Sequence, residues 1–294
     1  MKQVFPTFEI RGLSTCNSSE ELFSIDRFSK YIEGNPGTTK VHRHSFYHIT
    51  YFVHGTGENL IDFKTYEITP EKIFFMRPGQ VHSWKPKNNS EGYVMNFSPT
   101  FFEQISISSK LIDHFPFFNL FGSAQMVLLS ESNQRKIKIC FEDLITEIST
   151  TKSPSKIMIA SLILQIFALA NKEIPEENII KKANYNSLVY EQFLKMVDDN
   201  YSYYKLPKDY AALLNITPNH LNFICKQQIS FSAGEIIRNR IILEAKRLLV
   251  NFDLSVTNIA ERLNYSDPSY FVKFFKKYTQ VTPETFRKHY YNKY

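Results

Sequence analysis

Near its C-terminus the chain repeats itself, and two copies of one local pattern must fold into two copies of one local structure. Residues 210–226 align with residues 259–276: Ala211 with Ala260, Leu214 with Leu263, Asn215 with Asn264, and Thr217 with Ser266. After a one-residue insertion, Leu221, Ile224, Cys225 and Lys226 align with Phe271, Phe274, Phe275 and Lys276. Phe231-Ser232-Ala233 then aligns with Val281-Thr282-Pro283. Each copy predicts a helix-turn-helix. Ala211 or Ala260 leaves room for a close helix crossing. Asn215 or Asn264 takes the left-handed turn that Asn tolerates better than most residues. Thr217 or Ser266 is expected to cap the next helix through its hydroxyl. Pro218 or Pro268 lies in the first turn, where a missing N–H costs little.

The second helix of each copy has two faces. Leu221, Ile224 and Cys225, and their counterparts Phe271, Phe274 and Phe275, are expected to pack inward. The opposite stripe is Asn219, Asn222, Phe223 and Lys226 in the first copy and Ser269, Val272, Lys273 and Lys276 in the second, at helical spacing. Such a helix fits the major groove, where Asn reads adenine, Lys meets guanine or phosphate, and apolar atoms meet thymine methyls. With Thr217, His220, Ser266, Tyr270 and Lys277 beside them, these residues form the candidate DNA-contacting set; the plain alternative for each is an ordinary surface position. Ile237, Ile241, Ala245 and Leu248 mark the buried stripe of a helix over 233–250. A stiff helix there sets the separation of the two reading helices, which must be about 34 Å to reach one face of a duplex. An α-solenoid is the competing architecture, and two repeats are too few for one. Charge agrees with a phosphate-bearing partner: residues 181–294 carry a net +7, the rest a net −1.

Residues from about 185 to 290 resemble the DNA-binding domain of the AraC/XylS family of bacterial transcription regulators. The stretches that carry the resemblance are Arg240, Ala245 and Leu248-Leu249; Ile259-Ala260 and Leu263; Ser266-Asp267-Pro268-Ser269-Tyr270-Phe271; Phe274-Phe275-Lys276-Lys277; and Val281-Thr282-Pro283 with Phe286-Arg287. Asn264, Ser230 and Gln280 stand where that family usually has Gly, which puts the loop geometry in question. Ala233 replaces Pro, and Cys225 replaces an aromatic.

The first 125 or so residues read as β. Runs such as Phe46–Val53 and Lys72–Met76 alternate with turn signals at Gly34-Asn35-Pro36-Gly37, Gly55-Thr56-Gly57, Thr69-Pro70 and Arg77-Pro78-Gly79. Their spacing predicts an antiparallel barrel or sandwich. Two helices follow over about 133–173. The second is apolar nearly all round and must be covered on several sides, by the barrel, the first helix or another subunit. Phe141, Leu144, Ile163 and Phe167 are candidates for a dimer interface, or else pack on their own barrel. The resulting plan is α+β: a sensor unit over 1–173, a linker over 174–186, and an all-α DNA-binding domain over 187–294.

His42-Arg43-His44, His48, Gly55-Thr56-Gly57, Ile61-Asp62 and Pro78-Gly79-Gln80-Val81-His82-Ser83-Trp84 resemble the cupin-type sensor domain common in the same family. In metal cupins, which that pattern also resembles, His42, His44 and His82 match ligands, and His48 stands where Glu is expected. A four-histidine metal site is therefore open, and neutral imidazoles suit zinc, copper, iron or nickel. On a straight strand, however, His44 and His48 lie about 13 Å apart. The alternative is that His42, His44, His48, His82 and Trp84 line the barrel and contact an effector or one another. Phe46, Phe52, Phe74, Trp84 and Tyr93 are expected inside the barrel, an aromatic lining that suits sugars or aromatic acids as well as a plain core.

No cofactor is expected. Three well-separated cysteines exclude a disulfide scaffold and fit a reducing cytoplasm. The N-terminus lacks a signal-peptide apolar stretch, and the longest apolar run, 157–170, is too short to span a bilayer. The reading is a cytoplasmic, DNA-binding regulator controlled by a small-molecule effector, expected to be a homodimer, with RNA polymerase as a further partner and activation or repression left open. The alternatives are a metal-binding cupin, enzyme or metal sensor, fused to a DNA-binding tail, and an architectural DNA binder. Beyond the histidines there is no nucleophile–base pair, phosphate loop or carboxylate dyad to support an enzyme.

Overall fold

Thr69-Pro70 and Arg77-Pro78-Gly79 separate strands as expected, but Gly55-Thr56-Gly57 does not, because one continuous strand, Tyr47–Ile61, runs through it. The computed structural model describes residues 7–13, 22–108, 110–113, 115–118, 125–151, 153–175, 185–250 and 253–291. Contacts divide the chain into two units, one spanning Pro6–Pro175 and one within Glu176–Tyr294.

Among the described residues, the first unit holds eight strands: β1 (Thr7–Phe8), β2 (Phe23–Arg27), β3 (His42–His44), β4 (Tyr47–Ile61), β5 (Lys64–Ile68), β6 (Lys72–Met76), β7 (Val81–Phe97) and β8 (Met126–Leu128). They form a curled sheet in the order β1-β3-β7-β4-β6-β8, with β2 also on β7 and β5 also on β4. The antiparallel expectation needs one correction, because β1 runs parallel to β3. The two long strands make the curl. Residues 47–51 of β4 and 93–97 of β7 pair with one another and carry β6 and β2 on their outer edges. Their other halves carry β5 and β3. Between the halves the β4–β7 register shifts at Phe52–His54 and His54–Thr56. There Gly55 and Gly57 take positive φ, which lets the ribbon bend.

Gly92 is required for a different reason. A Cβ there would lie 2.0 Å from the Tyr51 carbonyl oxygen and 2.8 Å from Phe52 Cα. Gly92→Ala is expected to cost about 1–3 kcal/mol, read as a lower denaturation midpoint of the sensor unit.

Helix α1 (Phe28–Gly34) follows β2, and the short α2 (Lys110–Asp113) precedes β8. Helices α3 (Glu131–Thr150) and α4 (Lys156–Asn171) pack on the sheet, capped by the hydroxyls of Ser130 and Ser155. Inside the curl, Phe28, Tyr31, Phe46, Phe52, Phe74 and Trp84 form a core. Tyr93 departs from the expectation. It lies on the other face, stacked on Phe141 with 4.9 Å between ring centroids, because alternate residues of a strand face opposite ways. Its hydroxyl donates to Glu142, which also accepts from Arg27 at 2.7 Å.

The proposed dimer residues are corrected as well. Phe141, Leu144, Ile163 and Phe167 are fully buried within their own unit. Phe141 lies on Tyr51 and Tyr93, and Phe167 lies against Phe75, Phe97, Phe115, Phe117 and Phe118.

The second unit is helical: α5 (Tyr185–Asn200), α6 (Pro207–Leu213), α7 (Pro218–Ile229), α8 (Ala233–Leu249), α9 (Val256–Arg262), α10 (Pro268–Thr279) and α11 (Pro283–Tyr291). Helix α5 begins within the expected linker, whose residues 176–184 lie outside the described residues. On α8, Ile237, Ile241, Ala245 and Leu248 are buried as the periodicity requires. Arg240, almost buried on the same helix, donates to Asp198 of α5 and to Glu244 at 2.9 Å each, and stacks on Tyr201. That network locks α8 onto α5. Arg287 of α11 donates to the carbonyls of Leu249 and Leu254, closing the C-terminal end of α8.

Candidate nucleic-acid interface and sensor site

In the helical unit, both turns form as the repeat demands. Asn215 and Asn264 adopt φ of 53° and 54°, the left-handed conformation. Ser230 and Gln280, which replace Gly, also adopt it and end α7 and α10. The loop geometry is therefore kept with a strained residue in place of a permissive one. Thr217 caps α7 by accepting from the His220 N–H at 3.2 Å. The second cap differs from expectation. Asp267, not Ser266, accepts from the Ser269 N–H at 2.7 Å. The inserted residue shifts the cap by one position, and Ser266 stays exposed.

Leu221, Ile224 and Cys225 of α7 and Phe271 and Phe275 of α10 are buried, with Phe274 half-buried beside them. The opposite faces carry Asn219, Phe223 and Lys226 on α7, and Ser269, Tyr270, Lys273, Lys276 and Lys277 on α10, all exposed. His220 is half-buried, its ring parallel to that of Phe223. Asn222 leaves the candidate reading face. It is half-buried, and its Oδ1 accepts from the Ala233 N–H at 3.0 Å, satisfying the first turn of α8. Asn222→Ala is expected to lower the stability of this unit by about 1 kcal/mol, measured by thermal denaturation.

In the sensor unit, the strand register brings the histidines together. His42 on β3 pairs directly with His82 on β7. The chain bends at Ser45-Phe46, between β3 and β4, so the 13 Å separation of a straight strand does not apply. The rings of His44 and His48 stack with centroids 4.7 Å apart. The Pro78-Gly79 turn ahead of His82 is braced by Asp62, which accepts from Gln80 Nε2 at 2.7 Å and from the Val81 N–H at 3.2 Å. The Gly79 N–H donates to the His44 carbonyl at 2.8 Å.

Three Nε2 atoms converge. His44 Nε2 lies 3.0 Å from His42 Nε2 and 2.6 Å from His82 Nε2. The Nδ1–H of His42 donates to the Lys40 carbonyl at 2.7 Å, which leaves its Nε2 as a bare lone pair. His48 is set apart from this trio. Asn96 donates through Nδ2 to Ser24 Oγ, so its Oδ1 accepts from His48 Nδ1–H at 2.6 Å. Thr50 Oγ1 donates to His48 Nε2 at 3.0 Å. Both nitrogens of His48 are thus engaged by protein.

Burial pulls the His42 imidazole down to about 4 and that of His48 to about 3. Burial, reinforced by neighbouring imidazoles, holds His44 and His82 well below the usual histidine range. Burial thus disfavours the charged form of all four rings, and the neutral imidazole is the form that can ligate a metal. Trp84 covers the cluster, its ring centroid 5.0 Å from that of His82 and 5.2 Å from that of His48.

Asn96, Thr50 and the Lys40 carbonyl escaped sequence reasoning. Asn96 lies 48 residues from His48, and only the strand register joins them. The Asp62–Gln80 link had a partial signal, since both residues lie within the quoted turn motifs.

Residues 31–167 match the AraC-like ligand binding domain, and residues 210–289 match a helix-turn-helix domain. The chain is 22% identical over 253 residues to the HTH-type transcriptional activator RhaR of Mannheimia succiniciproducens, covering 86% of this chain and 88% of that protein. It is 24% identical over 266 residues to the uncharacterized HTH-type transcriptional regulator YfiF of Bacillus subtilis, covering 87% and 81%. Among solved structures, ToxT of Vibrio cholerae aligns with 91% of this chain and 98% of its own, at 14% identity and a TM-score of 0.46.

Proposed function

Since this chain belongs to the AraC/XylS family of transcription regulators, with a ligand-binding domain followed by a helix-turn-helix domain, we propose that it grips double-stranded DNA through α7 and α10 while its sheet domain reports an effector. The observation that carries this reading is the division of each of those helices into a buried apolar face and an exposed polar one. On α10 the exposed face concentrates Lys273, Lys276 and Lys277. Asn219, Phe223, Lys226, Ser269 and Tyr270 are the further contact candidates, and Thr217 and His220 lie at the entry to α7. These groups neutralise phosphate, read base edges or pack on thymine methyls.

The matched domains and the relatives are those of regulators, which sets aside the enzyme alternative. The finer reading is an activator, supported by the name of the RhaR relative. It works in the cytoplasm, where its DNA lies, as a homodimer in contact with RNA polymerase. The exposed Ile139, Ile157 and Met158 on α3 and α4 favour self-association over the buried residues first considered. Among the described residues, no helix is long and apolar enough to cross a membrane.

The experiment is selection of bound duplexes from a random pool by the full-length protein. Recovery of a shared motif spanning two adjacent major grooves supports the reading. No enrichment at moderate ionic strength overturns it.

A further inference from the structure

We propose that His42, His44 and His82 hold one first-row transition-metal dication of the zinc class, each ligating through Nε2. The three side chains are buried, and their candidate ligand atoms all lie within 4.8 Å of one another. Two nitrogens bound to one tetrahedral zinc lie about 3.3 Å apart, so the observed 3.0 Å and 2.6 Å need only a slight opening. His44 Nε2 carries either one hydrogen or one lone pair, so it cannot hydrogen-bond to both close neighbours at once. An ion instead accepts all three lone pairs together.

Two features of the surroundings favour the ion. The Lys40 carbonyl fixes the His42 tautomer so that Nε2 points its lone pair at the cluster, the arrangement that orients a metal-ligating imidazole. The turn that carries His82 is tied to Asp62 and to the His44 carbonyl, so two of the ligands are held in place by backbone. His48 is excluded from the set, since Asn96 and Thr50 occupy both its nitrogens. It meets the site through ring contacts with His44 and His82. Three imidazoles leave a fourth position on the ion open to a ligand from solution, which extends the function proposed above by naming part of what the sensor domain recognises.

The test uses the full-length, untagged protein, stripped with a chelator and titrated with cobalt(II) and then zinc(II) in the absence of DNA. Cobalt is expected to give a visible ligand-field band that saturates near one equivalent and is displaced by zinc. His54→Gln, exposed on the same strand as His48, is expected to bind like the unaltered protein. His48→Gln is expected to bind within about tenfold of it, as for loss of an orienting neighbour. His42→Gln and His82→Gln are expected to lose saturable binding in that range. Near-UV circular dichroism checks that each variant is folded, and the unaltered protein decides the matter even if a variant is not. A folded, unaltered protein with no saturable cobalt or zinc binding overturns the proposal. So does a folded His82→Gln that binds normally, or a folded His48→Gln that loses the ion as completely as a ligand variant. Because no DNA is present, a protein that selects duplexes but binds no metal fails only this inference, and one that binds metal but selects no duplex fails only the preceding reading.

Discussion

Phe141→Asp is expected to unfold the sensor unit and not to release a monomer from a dimer. The ring is fully buried against Tyr51 and Tyr93. Removing such a ring costs about 3–5 kcal/mol, and burying a carboxylate in its place adds several more unless the group protonates. That sum rivals the whole stability of a typical domain, about 5–15 kcal/mol. Lys138→Asp on the exposed face of the same helix provides the contrast, with an expected change within about 0.5 kcal/mol. Urea denaturation followed by near-UV circular dichroism separates the two. A Phe141→Asp protein with an unaltered midpoint and a halved mass by sedimentation would restore the interface role that the buried position denies.

The second large effect is on DNA. Replacing Lys273, Lys276 and Lys277 together with Ala is expected to weaken binding to a selected duplex about a hundredfold at 0.15 M salt. Each neutralised phosphate contributes about 0.7 log units there, and the slope of log affinity against log salt should become shallower by nearly three. Lys273→Ala alone separates two roles. A phosphate contact weakens all sequences alike, whereas a base contact costs about 1–3 kcal/mol and relaxes preference at one position. Fluorescence anisotropy over a salt series reads both quantities. An unchanged slope in the triple variant would remove α10 from the interface. The substitutions lie on exposed positions, so the fold of the unit should survive them.

How much was readable in advance differs between the two units for a physical reason. In the helical unit, the contacts that shape the turns and caps are local. Asn215 and Asn264 reach the left-handed conformation, and Thr217 caps its helix, because the groups involved are within a few residues of each other. The errors there were small shifts. Asp267 caps where Ser266 was expected, since the inserted residue moves the hydroxyl off the helix start. Asn222 turns from the reading face to the Ala233 N–H, a partner eleven residues away across a turn. In the sheet unit the contacts are long-range. Period-two alternation marks strands but does not say which face meets which partner, and Tyr93, expected inside, lies outside under α3.

The sequence by itself determined the two helix-turn-helix copies, the helix that joins them, the excess of positive charge on that unit, and the division of the first half into strands followed by two helices. These follow from periodicity, capping chemistry and composition, all of which act over short stretches of chain. Only the tertiary structure decided that Phe141 and Phe167 cover their own sheet, and that His42, His44 and His82 present one nitrogen each to a common point while His48 is held by Asn96 and Thr50. Strand register and the bend at Ser45-Phe46 set those relations, and both arise from pairing between segments tens of residues apart.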